Sequence, residues 1–447
     1  MTGGAQSFVP GGDVSGDWWV LFGAPALSRL VAASLADNVS LQAASARLTA
    51  AQETALAARG SLFPALDLGF SPARQKQSAA QTGAAGGTTY SLYTAGAQVS
   101  YTFDMWGAER RGVEEAAARA EQQRFAYEGA LNMLAANTAT TAITAAALAA
   151  EIGAQQSIIA AERDTLARVR AQFEAGAATG TDVATQEAAL AASETALPPL
   201  RASLARARDT LAANIGRTPA QADLPRLSLD DIHLPASVPV SLPSDLVARR
   251  PDLRAAEADL HAATAALGVA RANRLPSITL NAAIGSAPGR IEDLFAPGAG
   301  TWSLGAQLLA PVFHGGTLLH TERAADATAR AAALAWRDTA IGAFRDVADA
   351  LSALDFDAQA LAASQNAAAA ADKSLRLATV QYDAGSATYL AVLTAQSQAQ
   401  IARIALVRAR AARLTDTVAL YVALGGGWWH RTDIPPAAPV TWKDLLP

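Results

Sequence analysis

Cysteine is absent from all 447 residues. Disulfides, thiolate nucleophiles and thiolate metal sites are thereby excluded. Aromatic residues are scarce at 6 %, although hydrophobic residues reach 51 %. Much of that apolar content is alanine, the best helix former and small enough to let helices approach closely. An excess of positive charge is also missing: the net charge is -5, whereas a nucleic-acid partner requires a basic face. The opening residues, Met1-Thr-Gly-Gly-Ala-Gln6, lack the basic stretch and apolar run of a secretory leader. The expectation is a cytoplasmic chain or one whose true start has been removed. Proline is missing from Phe313 to Asp383, and charge is missing from residues 129–150. That uncharged window is rich in Ala, Thr and Asn. A spanning helix needs about 20 strongly apolar residues, so a buried, close-packed helix is expected there.

What is present is a repeat. Gln381-Tyr-Asp-Ala-Gly-Ser-Ala-Thr-Tyr-Leu-Ala-Val-Leu-Thr-Ala-Gln396 is a Gly-centred turn between two long helical patterns. Gln172-Phe-Glu-Ala-Gly-Ala-Ala-Thr-Gly-Thr-Asp-Val-Ala-Thr-Gln186 echoes it at an offset of 209, with Gly176 matching Gly385 and Thr179 matching Thr388. Upstream, Leu41, Leu48, Pro64 and Leu66 map to Leu253, Leu260, Pro276 and Ile278 at an offset of 212. Self-similarity on this scale marks a duplicated structure.

Each copy changes period in the same order. In the first, helices are expected from Pro25 and over 40–59, ended by Gly60 and Pro64. Strands are then expected over 62–72 and 91–104, with a loop over 75–89 between them. On the second strand Tyr93, Ala95, Ala97, Val99, Tyr101 and Phe103 fall on one side, and Thr94, Gly96, Gln98, Ser100 and Thr102 on the other. One apolar side and one small, polar side suit a strand between lipid and water. They suit an amphipathic hairpin on a soluble core as well. A helical hairpin follows over 108–215, its first arm about 100 Å long at 1.5 Å per residue. Pro198-Pro199 should break or kink the second arm. Ile159, Leu166, Val169 and Phe173 keep coiled-coil spacing.

The second copy has strands over 276–286 and 301–313 and a hairpin over 314–424. Its loop has room for a helical turn at Ile291–Phe295. Phe344, Val347, Leu351, Leu354, Ala358 and Leu361 form one seam, and Ile404, Val407, Ala411, Leu414, Val418 and Tyr421 another. Gly425-Gly-Gly427 stops the last helix. The organisation is an N-terminal segment (1–24), Gly-rich and mobile over 1–16, a first repeat (25–216), a Pro-rich connector with few helical positions (217–243), a second repeat (244–424) and a tail (425–447). The elements make the chain mainly α, with paired strands that are either membrane β or an amphipathic hairpin on a soluble core. Four strands cannot close a barrel, and an open sheet in lipid leaves backbone groups unpaired. Membrane strands therefore require several chains to share one barrel, and three chains supply twelve strands.

Catalytic patterns find little support. His314, His320 and Glu322 are the nearest to a metal set, but a spacing of six puts the histidines on different helix faces. No phosphate loop and no Gly-x-Ser-x-Gly elbow occurs, and no cofactor is indicated. The rival to a channel is a soluble coiled-coil scaffold or periplasmic adaptor, which leaves the paired strands before each long helix unexplained.

Several motifs in order resemble a known family. Leu242-Pro-Ser-Asp-Leu-Val-Ala-Arg-Arg-Pro-Asp-Leu253, Ala255-Ala-Glu257 and Ala270-Arg-Ala-Asn-Arg-Leu-Pro276 resemble the signature of outer-membrane efflux channels, relatives of TolC, in the NodT/OprM-type lipoprotein branch. Tyr101-Thr-Phe-Asp-Met-Trp-Gly107 and Pro311-Val-Phe-His-Gly-Gly316 resemble its strand-to-helix junctions, with Gly107 and Gly316 at the bends. Trp18-Trp-Val-Leu-Phe22 resembles its N-terminal signature. The resemblance spans residues 17–427.

It implies a homotrimer with a twelve-strand outer-membrane barrel on a periplasmic α-helical coiled-coil tunnel, with the connector and C-terminal tail forming an equatorial region. It further implies a passive conduit for drugs or toxic small molecules, working with a periplasmic adaptor and an inner-membrane pump of the resistance-nodulation-division class. Gly176, Ala177, Thr179, Gly385, Ser386 and Thr388 become adaptor-docking tips. Asp182 matches an acidic gate position, while its second-repeat equivalents Ala391 and Thr394 are not acidic. Asp182 equally suits a helix cap. The branch's lipidated N-terminal cysteine has no counterpart here, which fits a removed leader.

Overall fold

A computed structural model describes residues 6–78, 80, 87–240 and 248–431. The chain forms two compact units that cut across the two repeats. One draws on Met1–Ala46, Phe125–Arg254 and Asp338–Pro435, the other on Arg47–Arg124 and Ala255–Arg337. In chain order the elements are β1 (Ser7–Pro10), α1 (Pro25–Asp37), α2 (Val39–Arg59), β2 (Ala65–Gln77), β3 (Thr88–Phe103), α3 (Ala108–Glu174), α4 (Gly180–Asn214), β4 (Ser237–Val240), α5 (Pro251–Ala272), β5 (Ser277–Ser286), β6 (Gly300–Leu309), α6 (Thr317–Asp383) and α7 (Tyr389–Ala423). Residues 242–247 of the Leu242–Leu253 motif and the tail beyond residue 431 lie outside the described residues.

In the second unit the strands form one antiparallel sheet in the order β2-β3-β5-β6. Its register decides the chemistry of each face, because directly paired residues point the same way. The rows Leu68–Ala97–Ile284–Trp302 and Leu66–Val99–Ala282–Leu304 lie on one face. The rows Asp67–Gln98–Ala283–Ser303 and Gly69–Gly96–Gly285–Thr301 lie on the other. The apolar face is bare in the single chain, with Leu68 84 % and Trp302 80 % exposed. Gly96 and Gly285 face each other so closely that a Cβ on either would come within 2.4–2.6 Å of a neighbouring carbonyl oxygen. Only glycine fits at these two positions.

The first unit is held by an aromatic and aliphatic core. Trp18 and Phe22, in a single 3₁₀ turn, pack with Leu27 and Val31 of α1 against α7. The Trp18 ring stacks on Tyr421 at 5.5 Å. Leu131, Ala135, Ala139 and Ile143, from the uncharged window of α3, are all buried. Among the described residues α3 is the one helix long and apolar enough to cross a membrane by length and composition, and half of its apolar stretch is buried inside the fold.

Arg250 joins three segments. It is 9 % exposed. It donates Nε and Nη2 to the two Asp252 oxygens at 3.0 and 2.7 Å, Nη2 also to Asp346 at 3.2 Å, and Nη1 to the Ala423 carbonyl at 3.2 Å. A planar five-donor fork suits this site, where a lysine would not. Beside it Asp13 accepts from Arg249, Trp429 and His430 at 2.9, 3.1 and 2.7 Å, so the start and end of the described chain are clasped together.

Several expectations are corrected. The N-terminal segment is not wholly irregular, since β1 pairs in parallel with β4 of the connector. Residues 60–62 form a 3₁₀ turn, so the first strand runs over Ala65–Gln77 rather than 62–72. Its far end is polar, but backbone pairing of Gln77 with Thr88 carries it on. The last strand ends at Leu309 rather than 313, because Pro311 has no N–H for the ladder. Helix α4 continues through Pro198 and Pro199 without a break. Phe173 and Phe344, at seam positions, are exposed in the single chain.

Two outcomes are expected. Gly427 has φ +73°, and a Cβ there would lie 2.3 Å from the Ser15 carbonyl oxygen. Gly427→Ala should therefore cost at least about 2 kcal/mol and lower the thermal midpoint in detergent, whereas Gly60→Ala, with open space around it, should not. In the same unit, burial and the hydrogen-bonded Asp357 carboxyl push Asp416 up to about 6. A raised acid stabilises the fold while protonated. That contribution is complete below the unfolded value of about 3.9 and is lost as pH rises through about 6. Asp416→Asn should thus gain on the wild type in thermal midpoint, by about 3 °C for a chain of this length, between pH 4 and pH 8.

Candidate functional site

The two hairpin tips lie in the first unit, and each is built on a glycine. Gly176 and Gly385 have φ +75° and +72°, a conformation that costs other residues about 1–2 kcal/mol. Each tip closes a Schellman pair of hydrogen bonds. Ala177 N–H donates to Gln172 O at 2.7 Å and Gly176 N–H to Phe173 O at 3.0 Å. In the second copy Ser386 N–H donates to Gln381 O at 2.8 Å and Gly385 N–H to Tyr382 O at 2.9 Å. The glycines turn the chain, and Ala177 and Ser386 take the position just beyond.

The returning helices start differently. Thr179 is the N-cap of α4 and forms a capping box with Asp182. The Asp182 carboxylate accepts from Thr179 N–H at 2.8 Å and from Thr179 Oγ1 at 2.7 Å. These two bonds hold the carboxyl below its usual range. Thr388 is the N-cap of α7, but no side-chain bond closes it. Ala391 stands where the box requires an acid, and Thr394 turns its hydroxyl to Leu390 O at 2.8 Å. The structure therefore gives Asp182 a capping role and gives the second copy none.

Sequence reasoning missed the bond that joins the tips. Tyr382 donates its hydroxyl to Gln172 Oε1 at 2.7 Å, and its ring lies 5.8 Å from that of Tyr389. Tyr389 is pushed up to about 12, by burial first and then by Tyr382, Glu162 and Asp182. Glu162 was missed as well. It lies on the seam of Ile159, Leu166 and Val169 at the same 3,4 spacing, so a polar residue on an apolar stripe was the available signal.

In the second unit, Gly107 and Gly316 have φ +83° and +85° and directly precede α3 and α6. At the first bend Asp104 accepts from the backbone of Glu109 and Arg110 at 3.3 and 3.1 Å and from Arg110 Nε at 3.0 Å. Burial opposes this, yet the Arg110 bonds prevail and hold Asp104 low. Trp106 pins the same bend to the Pro276 carbonyl at 2.7 Å. At the second bend His320 donates its backbone N–H to Gly316 O at 3.0 Å. Glu322 is taken up by Arg274 and Arg271, and His314 and His320 do not form a cluster with it; no group of three metal-ligating side chains occurs among the described residues.

This geometry has known counterparts. The family profile "Outer membrane efflux protein" matches residues 30–217 and 242–426. The pyoverdine export outer membrane protein OpmQ of Pseudomonas aeruginosa is 32 % identical over 424 residues, covering 92 % of this chain and 87 % of its own. The toluene efflux pump outer membrane protein TtgC of Pseudomonas putida is 32 % identical over 418 residues, covering 93 % and 86 %. Among solved structures, the outer-membrane channel OprN superposes with a TM-score of 0.90 at 26 % identity, over 96 % of this chain and 95 % of its own. On this match over both repeats, the chain belongs to the outer membrane efflux protein family.

Proposed function

We propose that three copies of this chain close a twelve-strand barrel in the outer membrane and act as the exit conduit of a tripartite efflux system. The observation that carries this reading is the four-stranded sheet, with one continuous apolar face and two unpaired outer strands, β2 and β6. In lipid each unpaired backbone group costs several kcal/mol, and joining β6 of one copy to β2 of the next removes every edge. Twelve strands leave a lumen where eight would be filled by side chains. The small and polar row Gly69, Gly96, Gly285 and Thr301 then faces that lumen.

The conduit is passive. The exported solutes are small organic molecules, a class that covers the pyoverdine and the toluene in the relatives' names. Energy comes from an inner-membrane pump of the resistance-nodulation-division class through a periplasmic adaptor. The adaptor docks on the tips at Gly176, Ala177, Thr179, Gly385, Ser386 and Thr388. Asp182 both caps α4 and lines the periplasmic aperture as a single acidic ring that favours cations.

Export from cells whose own outer-membrane component has been deleted tests the conduit. The wild type should restore solute resistance, and failure to do so despite folded protein in the outer membrane contradicts the reading. Gly385→Val should lose that resistance while the oligomer persists, because a Cβ is strained at φ +72°. Asp182→Asn keeps an oxygen for Thr179 N–H but removes the charge. In planar bilayers it should lose cation preference as fully as Asp182→Ala does. Wild-type preference in both variants would leave Asp182 with its cap alone.

A further inference from the structure

Glu162 of α3 is an acid buried without a cation. It is 4 % exposed. Oε1 accepts one hydrogen bond, from Ser193 Oγ of α4 at 3.0 Å. Oε2 is enclosed, and no donor reaches it among the described residues. Its surroundings are polar and equally incomplete. Gln186 of α4, 0 % exposed, donates Nε2 to the Glu162 carbonyl at 3.2 Å, while its Oε1 has no donor. Gln396 Nε2 and the Tyr389 hydroxyl of α7 are also enclosed without partners among the described residues.

The charges nearby are already committed. Arg163, next in sequence, pairs with Glu194 of α4 at 2.6 Å. Arg170 of α3 pairs with Glu187 of α4 at 2.6 Å. On the far side, Asp372 of α6 is held by Arg403 of α7 at 2.8 Å. No arginine or lysine pairs with Glu162 among these groups, and Glu194 adds a like charge. A carboxylate wants donors at both oxygens. Here it has one hydroxyl, so its charged form is poorly accommodated, whereas a protonated Oε2 becomes a donor, and Gln186 Oε1 and the Tyr389 hydroxyl oxygen are enclosed acceptors still without a donor.

We infer that Glu162 is carried as the neutral acid in the packed hairpin and works as a proton switch, its ionisation loosening α3 and α4 just short of their tip. Burial raises its affinity for the proton, the Ser193 hydroxyl opposes this, and Glu194 adds to it. The packed form is therefore fully favoured below the ordinary glutamate value of about 4.3 and loses that support as pH rises through the higher folded value. The switch operates whatever solute the protein carries, so its test is separate from that of export.

Hydrogen exchange on the full-length protein in detergent reads the switch locally. Wild type and Glu162→Gln are compared at the same pH, which cancels the intrinsic pH dependence of exchange. At pH 4.5 peptides covering 155–196 should be equally protected in both. At pH 8.5 they should exchange about tenfold faster in the wild type, with peptides of β5 and β6 unchanged. Equal protection at both pH values overturns the switch, as does a variant that is looser throughout, which would mean the charged form is the structural one. Ser193→Ala gives an independent arm. Loss of the hydroxyl should carry the end of the loosening to higher pH, and an end point moved to lower pH, or unmoved, would also refute the switch.

Discussion

The outward backbone groups of β2 and β6 set the terms for the rest of the molecule. A sheet in the order β2-β3-β5-β6 pairs its inner strands on both sides and its outer strands on one. Water tolerates such an edge; hydrocarbon does not. The apolar rows that end in Leu304 and Trp302 make water the wrong solvent for one face. In the proposed reading such a sheet is completed by further copies of itself, and membrane residence, oligomerisation and a central lumen all answer one unmet demand for hydrogen bonds.

The helical part answers a different demand, the regular packing of very long helices. Alanine supplies close approach, as at Ala135, Ala139 and Ala142 of α3, and glycine is kept for points where the backbone must turn. The two copies share this plan but not its details. The first copy closes its returning helix with Thr179 and Asp182 and its strand-to-helix bend with Asp104. The second has Ala391 in place of the cap acid and relies on backbone bonds at His314 and Gly316. Duplication set the geometry, and divergence left the polar fittings mainly on one copy. The Arg250 fork and the Asp13 clasp then bind distant stretches of chain into one unit.

Much of this was legible from the sequence. Gly176 and Gly385 marked the tips because their offset repeats, and the alternation over Tyr93–Phe103 marked the faces of β3. Other features depended on partners that sequence order does not reveal. Gln77 is polar and reads as loop, yet Thr88 pairs with it. Ser7–Pro10 reads as a loose end, yet Ser237–Val240 lies alongside. Pro198 and Pro199 argue locally for a break that the surrounding helix overrides. At the tips the glycines were visible, but Tyr382 bonding to Gln172 was not, since the residues lie in different repeats. Asp182 was legible as an acid in a suggestive place, and only the Thr179 bonds showed what it does there.

Covalent capture of the strand junction bears most closely on the closed barrel. These 447 residues hold no cysteine, so one can be placed on each outer strand, at Asp67→Cys of β2 and Ser303→Cys of β6, which lie on the same polar face. Neighbouring positions along each strand scan the register. Oxidation in native membranes should give denaturant-resistant trimers for at least one pair of positions, and none for either single substitution. Chains that stay monomeric across the whole scan, although folded and inserted, would contradict the shared barrel.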